Sequence, residues 1–557
     1  MLLSSVGLSF PASLLAQQAP PDAGSIMRDI EDLRAPTRPQ LPPSVLPEVP
    51  EPPPEDAVTF VVERFELSGV TLVSEESVQA VLEPWLNREL TFDDLNRALA
   101  AISELYQAKG WFARPQLPAQ DIVDGTVLIN VIEGRFGAVQ LGEDADVALD
   151  ESRIEGFMTQ RQTSGDYLNM DALSRSINLL NSQPGVAASV AMATSETPGA
   201  SDLVVMTEAL PRYGASVMMD NSGSRSTGRE RATFSGNLNN PLRIGDRVST
   251  TALITEGNRY LQLGYERPVG FDGWRVSGAW SLLDYELINE FAEIGVTGQA
   301  QTVSLTADYP LIWTTQSNTR LSMTLSDAHY DDAVGPAETA KRVTTASIAL
   351  NGDASDGFFG GGFTQWGTSV DAGQVELKDP EQREVDELGP GTHGDFSKVS
   401  ANIARLQRIT ERSTLWLSVN GQIAGNNLDS SQGFSLGGPA GVRAYPASEA
   451  SGDQGLRLTI EARQNLTDRL QGTVFYDYGR IWVNQDDRWL TESETPNIYA
   501  LEGAGVSLSM TISPRLQVSA TAAQRIGDNP AANPETGADG DGTKRDTQVW
   551  LSLTASF

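Results

Sequence analysis

Residues 415–423 read LWLSVNGQI, a run in which apolar side chains alternate with polar ones. The same two-residue period recurs at 456–463, at 506–512 and at 549–557. A strand that crosses a membrane in a β-barrel is about 9 to 11 residues long and turns every second side chain towards lipid. The repeated alternation therefore predicts a transmembrane antiparallel β-barrel over residues 213–557.

The last of these runs ends on Phe557, as in many outer-membrane barrels that use a terminal aromatic residue as an assembly signal. An array of soluble β-sandwiches would also alternate, but it predicts no terminal phenylalanine and gives no reason for so many strands without a break. Sixteen strands over residues 213–557 would take about 22 residues each with their connections. Fourteen or eighteen strands fit nearly as well.

The composition argues against several classes of function. The 557 residues include 40 basic and 73 acidic ones, and the net charge of −33 argues against a nucleic-acid partner bound through a basic patch. With no cysteine and only His329 and His393, the chain has little material for metal ligation or nucleophilic catalysis. No run of 18 predominantly apolar residues predicts a transmembrane helix. We expect no cofactor, no metal site and no enzymatic activity.

Residues 1–16 have the apolar core and small-residue end of a secretory signal peptide. No Lys or Arg precedes Arg28, so the basic start of such a signal is missing, and we expect a truncated signal. A buried amino-terminal strand is the alternative, although the following residues offer it nothing to pair with.

Residues 20–34 predict a short amphipathic helix, with Asp22 as its cap. Four apolar side chains recur at the spacing of one helical face: Ile26, Met27, Ile30 and Leu33. The proline-rich linker 35–57 favours extended polyproline II and forbids a packed core. A small helix on a long tether indicates a plug or a docking device, and a disordered tail with a transient helix is the alternative.

Residues 58–135 and 136–211 read as two α/β modules with the same βααββ order. In the first module, Thr91 and Asp94 form a capping pair at the start of the longer helix. In the second module, Pro184 stops the longer helix. Modules of this size suit recognition better than catalysis.

Several segments resemble one known family. Residues 111–122 and 124–134 resemble the end of the first POTRA module of two-partner secretion transporters, which are outer-membrane barrels that export one large partner protein. Residues 165–170 and 179–185 resemble the second module, and residues 22–28 resemble the helix that plugs the barrel. The likeness covers nearly the whole chain.

The resemblance implies a fold, a location and partners. It implies a sixteen-stranded barrel in the outer membrane of a Gram-negative bacterium, preceded by a plug helix and by two POTRA domains in the periplasm. It implies a secreted exoprotein of haemolysin or adhesin type as the partner, together with outer-membrane lipids and lipopolysaccharide, and insertion by the barrel assembly machinery. An outer-membrane protein assembly and insertion factor is the alternative function.

The segment 434–446, FSLGGPAGVRAYP, resembles the sixth loop of this family, whose Val-Arg-Gly-Tyr core places an arginine inside the barrel. Its usual partner, Phe-x-Asp-x-Gly, is matched at 475–479. A guanidinium inside a barrel needs a carboxylate to stay ordered, so we predict a salt bridge that pins the loop. The residues of this predicted lock are Arg443, Tyr445, Phe475, Asp477 and Gly479. Ala444 stands where the family has glycine, which leaves the local conformation of the loop open.

Other patterns are weaker. The run 433–437 fits the G-x-S-x-G pattern of hydrolases around Ser435, but both histidines precede it and no helix signature follows. No nucleotide-binding P-loop occurs. The polar segments 376–395 and 528–546 predict solvated outer loops, with a divalent-ion site at Asp539 and Asp541 as a minor alternative. A porin or a ligand-gated receptor would not explain residues 58–211.

Overall fold

The computed structural model describes residues 20–32, 59–120, 122, 124–142, 149–197, 199–314, 316–490 and 495–557. Along these residues the chain forms a helix, α1 (Ala23–Asp32), then two α/β modules and a closed barrel of sixteen strands. The predicted fold class is therefore confirmed. The predicted signal, 1–16, and linker, 35–57, lie outside the described residues.

The first module contains a three-stranded sheet in the order β2-β5-β4 and a separate short pair, β1 with β3. Its elements are β1 Phe60–Val61, β2 Arg64–Ser68, α2 Glu75–Leu82, β3 Glu89–Leu90, α3 Phe92–Ala108, β4 Ala113–Gln116 and β5 Thr126–Glu133. Thr91 and Asp94 cap α3 reciprocally: Thr91 Oγ1 accepts from Asp94 N at 3.2 Å, and Asp94 Oδ2 accepts from Thr91 N at 2.9 Å.

The second module repeats this plan with the sheet order β6-β8-β7. Its elements are β6 Arg135–Leu141, α4 Glu151–Thr159, α5 Met170–Asn181, β7 Val186–Thr194 and β8 Ala200–Ala209. Helix α5 ends just before Pro184, where the sequence predicts the stop. Strand β7 lies at an edge of its sheet and pairs only with β8 among the described residues.

The barrel closes on itself in strand order, apart from a two-stranded hairpin inserted between β19 and β22. Its strands and that hairpin are β9 Tyr213–Asp220, β10 Arg231–Asn239, β11 Arg247–Ile254, β12 Asn258–Val269, β13 Trp274–Glu286, β14 Val296–Trp313, β15 Ser317–Val334, β16 Ala337–Asp356, β17 Gly362–Leu377, β18 Gly394–Arg408, β19 Ser413–Ala424, the hairpin β20 Phe434–Ser435 and β21 Ser451–Gly452, β22 Gln454–Asn465, β23 Leu470–Trp482, β24 Ile498–Ser513, β25 Leu516–Ile526 and β26 Thr547–Ser556. The barrel therefore has sixteen strands, not fourteen or eighteen.

Alternation along each strand separates the two faces of the wall. On β19, Leu417 and Ile423 are 37% and 66% exposed on the outer face, whereas the inward-facing Trp416 is 8% exposed. The final strand pairs with the first in register Ser552 with Asp220. Phe557 N donates to Ala215 O at 2.8 Å, so the carboxyl terminus is tied to the start of the barrel.

Of the two long polar segments expected to be solvated loops, 376–395 is exposed but partly helical, whereas 528–546 is partly buried. Within 376–395, β17 continues to Leu377, and a helix, α6 (Pro380–Leu388), fills most of the connection to β18. Within 528–546, Asp539 and Asp541 are only 4% and 6% exposed. Asp539 is buried because it forms an ion pair with Arg525, a side chain whose position the local sequence does not reveal.

The second module is held against the end of the barrel at which the chain enters β9. Arg161 Nη2 lies 2.7 Å from Asp272 Oδ1, and the rings of Phe157 and Phe271 pack edge to face at 5.5 Å. Asp272 and Phe271 belong to the turn between β12 and β13. None of the described helices is long and apolar enough to cross a membrane.

Candidate functional site in the barrel lumen

The connection between β19 and β22, residues 425–453, folds back into the barrel; we call it the inner loop. Its hairpin pairs Phe434 with Gly452. Its apolar side chains form one buried cluster with inward-facing side chains of β23, β24 and β25, and this cluster includes Leu436, Val442, Ala444, Tyr445, Phe475, Ile481, Leu501 and Ala523. The loop is therefore packed against one half of the barrel wall.

Arg443 and Asp477, which the sequence pairs, are in direct contact. Arg443 Nε donates to Asp477 Oδ2 at 2.8 Å, and Arg443 Nη2 donates to Asp477 Oδ1 at 2.8 Å. Asp477 Oδ2 also accepts from the backbone N–H of Arg443 at 3.2 Å. Both side chains are almost fully buried. This two-pronged geometry fixes the direction of the guanidinium as well as its position.

Sequence reasoning missed the other partners of Arg443. Its Nη1 donates to Glu461 Oε1 at 2.8 Å, and Glu461 Oε2 lies 2.7 Å from Arg463 Nη2. The guanidinium stacks on the ring of Phe475, with the carbon 3.4 Å from the ring centroid. Trp550 Nε1 donates to Arg443 O at 2.8 Å. The alternation along β22 places Glu461 on the inward face of the wall. Glu461 could therefore have been proposed as a partner of Arg443 by considering the acidic residues at inward-facing positions.

Small residues make room for the loop. A Cβ on Gly479 would lie 2.9 to 3.1 Å from side-chain atoms of Leu436 and Val442. The φ of Ala444 is not positive. An alanine therefore fits this position, where the family has glycine, without backbone strain. Its methyl group instead occupies the space above Gly503, where a Cβ would approach it to 2.5 Å. The guanidinium of Arg525 lies over the ring of Tyr445, the remaining residue of the predicted lock, with its carbon 4.4 Å from the ring centroid.

The helix α1 lies within the barrel beside the inner loop; we call it the plug helix. Asp22 caps it, because Asp22 Oδ1 accepts from Ser25 N at 2.9 Å. Ile26, Met27 and Ile30 are buried in a cluster with inward-facing side chains of the strands. The fourth residue predicted for this face, Leu33, lies outside the described residues.

Polar contacts fasten the plug helix at its start and near its middle. Lys341 of β16 bridges Asp22 of the helix and Asp429 of the inner loop, at 2.7 and 2.8 Å. Further along, Arg28 Nη1 donates to Ser430 O at 2.8 Å and to Ser451 Oγ at 3.0 Å. The plug helix is thus attached to the loop and to the wall by hydrogen bonds and one bridging cation.

The Ser435 alternative has no support in the structure. Ser435 lies in β20, pairs with Ser451, and is followed by a turn rather than by a helix. A nucleophile elbow needs a strand that runs directly into a helix.

A sixteen-stranded barrel with two α/β modules at one mouth, a helix in its lumen and a loop folded inward defines a POTRA-bearing outer-membrane protein. The family model described as "Haemolysin secretion/activation protein ShlB/FhaC/HecB" matches residues 199–510, and the model "POTRA domain, ShlB-type" matches residues 60–134. The first match covers more than half of the chain, so the protein belongs to the ShlB/FhaC/HecB family. It is an outer-membrane translocator of two-partner secretion, with its POTRA domains in the periplasm.

Relatives and solved structures agree with this assignment. The chain is 24% identical to the "Heme/hemopexin transporter protein HuxB" of Haemophilus influenzae over 89% of this chain and 87% of the relative. It is 25% identical to the "Outer membrane transporter CdiB" of Escherichia coli over 81% and 76%.

The structure of CdiB from Escherichia coli superposes with a TM-score of 0.68 at 20% identity, covering 95% of this chain and 96% of that one. BamA from Haemophilus ducreyi, lacking POTRA domains 1–3, superposes with a TM-score of 0.57 at 14% identity, covering 90% and 100%. Because the sequence identities are this low, the two superpositions show only that the folds are similar.

Proposed function

We propose that the protein takes up one large, unfolded exoprotein of haemolysin or adhesin type in the periplasm and passes it through the barrel after the plug helix has left the lumen. The observation that carries this proposal is the mode of attachment of α1. The helix lies in the lumen, where hydrogen bonds and the Lys341 bridge hold it, together with one short apolar face. Such contacts can be exchanged for water without unfolding the wall.

The second module offers a surface for the first step. Strand β7 is nine residues long and has one unpaired edge among the described residues. An extended segment of an unfolded protein can add to such an edge through backbone hydrogen bonds, largely independent of its sequence. We expect segments of the exoprotein to bind there or in the grooves between the strands and helices of the modules.

The energy for export is proposed to come from folding of the exoprotein outside the cell. No nucleotide-binding motif occurs in the sequence, and we expect neither a cofactor nor an enzymatic step. Insertion by the barrel assembly machinery and contact of the outward-facing strand residues with lipid and lipopolysaccharide complete the proposed set of partners. The alternative role as an assembly factor is less supported, because the family match is to secretion proteins.

Deletion of residues 21–34 tests the plug assignment. In planar bilayers, the shortened protein should show a larger and more persistent single-channel conductance than the full chain. An unchanged conductance would remove the plug role. Co-expression with the exoprotein encoded nearby tests export itself, and reconstitution with unfolded barrel proteins tests the assembly alternative, which predicts their insertion.

A further inference from the structure

The connection between β25 and β26, residues 527–546, is an outer loop that we call the outer strap. It carries buried polar side chains where a solvated loop was expected. Asn529 is 7% exposed, and its Nδ2 donates to Asp539 Oδ1 at 2.9 Å. Asp539 in turn accepts from Arg525 of β25 at 2.5 Å. The strap is therefore anchored inward rather than spread in solvent.

A carboxylate of the inner loop is bound into this anchor. Glu449 is only 2% exposed. Its Oε1 accepts from Asn529 Nδ2 at 2.7 Å, and its Oε2 accepts from the backbone N–H of Gly540 at 2.9 Å. Both carboxylate oxygens thus accept hydrogen bonds from the outer strap.

The backbone around Glu449 has a conformation that its residue types disfavour. Ser448 and Ala450, on either side of it, have φ of 66° and 57°. Residues with a Cβ rarely adopt this left-handed region unless the surroundings impose it. The bonds from Asn529 and Gly540 to the intervening side chain supply such a constraint from the outer strap.

This turn also touches the plug helix. Ser448 Oγ donates a short hydrogen bond to Asp29 Oδ2 of α1. The contact depends on the left-handed conformation of Ser448, because that conformation sets the direction of its side chain. A continuous chain of contacts therefore runs from the outer strap through Glu449 and Ser448 to the plug helix.

We propose that Glu449 is a positioning residue through which the outer strap holds the turn 448–450 against the plug helix and so keeps the lumen closed. The inference rests on the proposed function in one respect, namely that α1 is a plug. It predicts that the cell-surface side of the barrel controls how readily the plug leaves. A partner or a condition that displaces the strap would open the channel from outside.

The charges around Glu449 give this contact a pH dependence. Burial raises the pKa of the Glu449 carboxyl to about 7; the bonds from Asn529 and Gly540 oppose the rise, and the charges of Asp539 and Asp541 add to it. The titratable and charged groups that face the cluster from the surrounding elements are Asp539 and Asp541 of the strap, Arg525 of β25, Tyr445 of the inner loop and Tyr499 of β24.

The direction of the effect follows from linkage. A carboxyl with a raised pKa favours the assembled contact when it is protonated. The stabilisation is complete below about pH 4.5, the ordinary pKa of a glutamate, and is lost as the pH rises through about 7. The closed state should therefore be held more tightly at pH 5.5 than at pH 8, and the frequency of opening should rise between these values.

Single-channel recording on the full-length protein tests the proposal. Glu449→Ala and Asn529→Ala, which remove the hydrogen bond between these side chains from opposite sides, should each raise the frequency of opening about tenfold at pH 5.5, the effect of losing one buried hydrogen bond. Glu449→Gln keeps one of the two acceptors, so it should lose the pH dependence and open at a frequency between those of the unaltered protein and Glu449→Ala. Glu535→Gln changes an exposed acid of the same strap and should behave as the unaltered protein.

Combination with the deletion of residues 21–34 separates the possible failures. If that deletion alone leaves the conductance unchanged, the plug assignment fails. If the deletion opens the channel but Glu449→Ala does not, the role of Glu449 is refuted. If Glu449→Ala increases opening further in the deleted protein, the substitution loosens the barrel in general, which also refutes the proposal.

Discussion

The inner loop and the plug helix share one lumen, but they are attached to it in different ways. The loop buries a two-pronged ion pair between Arg443 and Asp477, extended by Glu461 and surrounded by an apolar cluster. The ten-residue plug helix is held by hydrogen bonds, by the Lys341 bridge and by one apolar face. Breaking the first attachment strands charges that are buried in the wall and the loop. When the plug helix leaves, Lys341 keeps Asp429 as its partner, and water replaces the contact with Asp22. The difference supports the proposal that the loop stays in place while the helix leaves.

The largest effect is expected at the ion pair. Arg443→Asp or Asp477→Arg should abolish export, because removing one partner of a buried pair costs about 3–5 kcal/mol. Secretion of the exoprotein into the medium measures the effect, and heat-modifiable migration of the barrel reports folding. The double exchange, Arg443→Asp with Asp477→Arg, should restore part of the export once Glu461→Gln removes the carboxylate that would repel the new acid. No restoration would count against direct pairing.

A smaller effect is expected where the loop approaches the wall. Gly479→Ala would place a methyl group about 3 Å from Leu436 and Val442, and such overpacking costs about 1–3 kcal/mol. Export should fall severalfold, and the melting temperature of the barrel should drop. An unaltered melting temperature would show that the loop can shift, which would weaken the contrast with the plug helix.

Weakening the attachment of the plug helix should open the channel more often and leave export largely intact. Lys341→Met leaves the carboxylates of Asp22 and Asp429 without their shared cation, so the plug helix should leave more often and channel openings should become more frequent. Export should persist at about half the normal level or more. A loss of export as complete as that of Arg443→Asp would contradict the assignment of a removable plug.

The smallest effect is expected at Ala444. Because its φ is not positive, Ala444→Gly removes only a methyl group packed over Gly503 and adds backbone freedom in the unfolded chain. The stability should change by about 1 kcal/mol or less, and export should remain normal. A large loss of export would show that the methyl group is a required contact.

Whether a feature of the fold or the site could be predicted from the sequence depends on how far apart in the chain the residues that determine it lie. The strand period, the capping pair of α3 and the stop of α5 are local, and the sequence predicts them. The pairing of Arg443 with Asp477 follows from a motif resemblance and from the need to neutralise an inward-facing guanidinium.

The remaining contacts were not predictable in this way. The contacts of Glu461, Lys341 and Asp539 depend on which inward-facing positions meet after the barrel has closed, and residues far apart in sequence decide this. The burial of the outer strap was missed for the same reason, since its polar composition is typical of solvated loops.

The most direct measurement uses the absence of native cysteines. A Cβ on Gly24 of the plug helix would lie 3.0 Å from the Ser431 Cβ of the inner loop and 3.2 Å from Lys341 Nζ. The first distance is shorter than the 3.5–4.5 Å that a disulfide requires, so a small outward shift of the helix brings the pair into bonding geometry. Gly24→Cys with Ser431→Cys should therefore form a bond that holds the plug in place, with each single variant as control. The account predicts that export stops under oxidising conditions and returns after reduction. Normal export through the oxidised, cross-linked protein would contradict it.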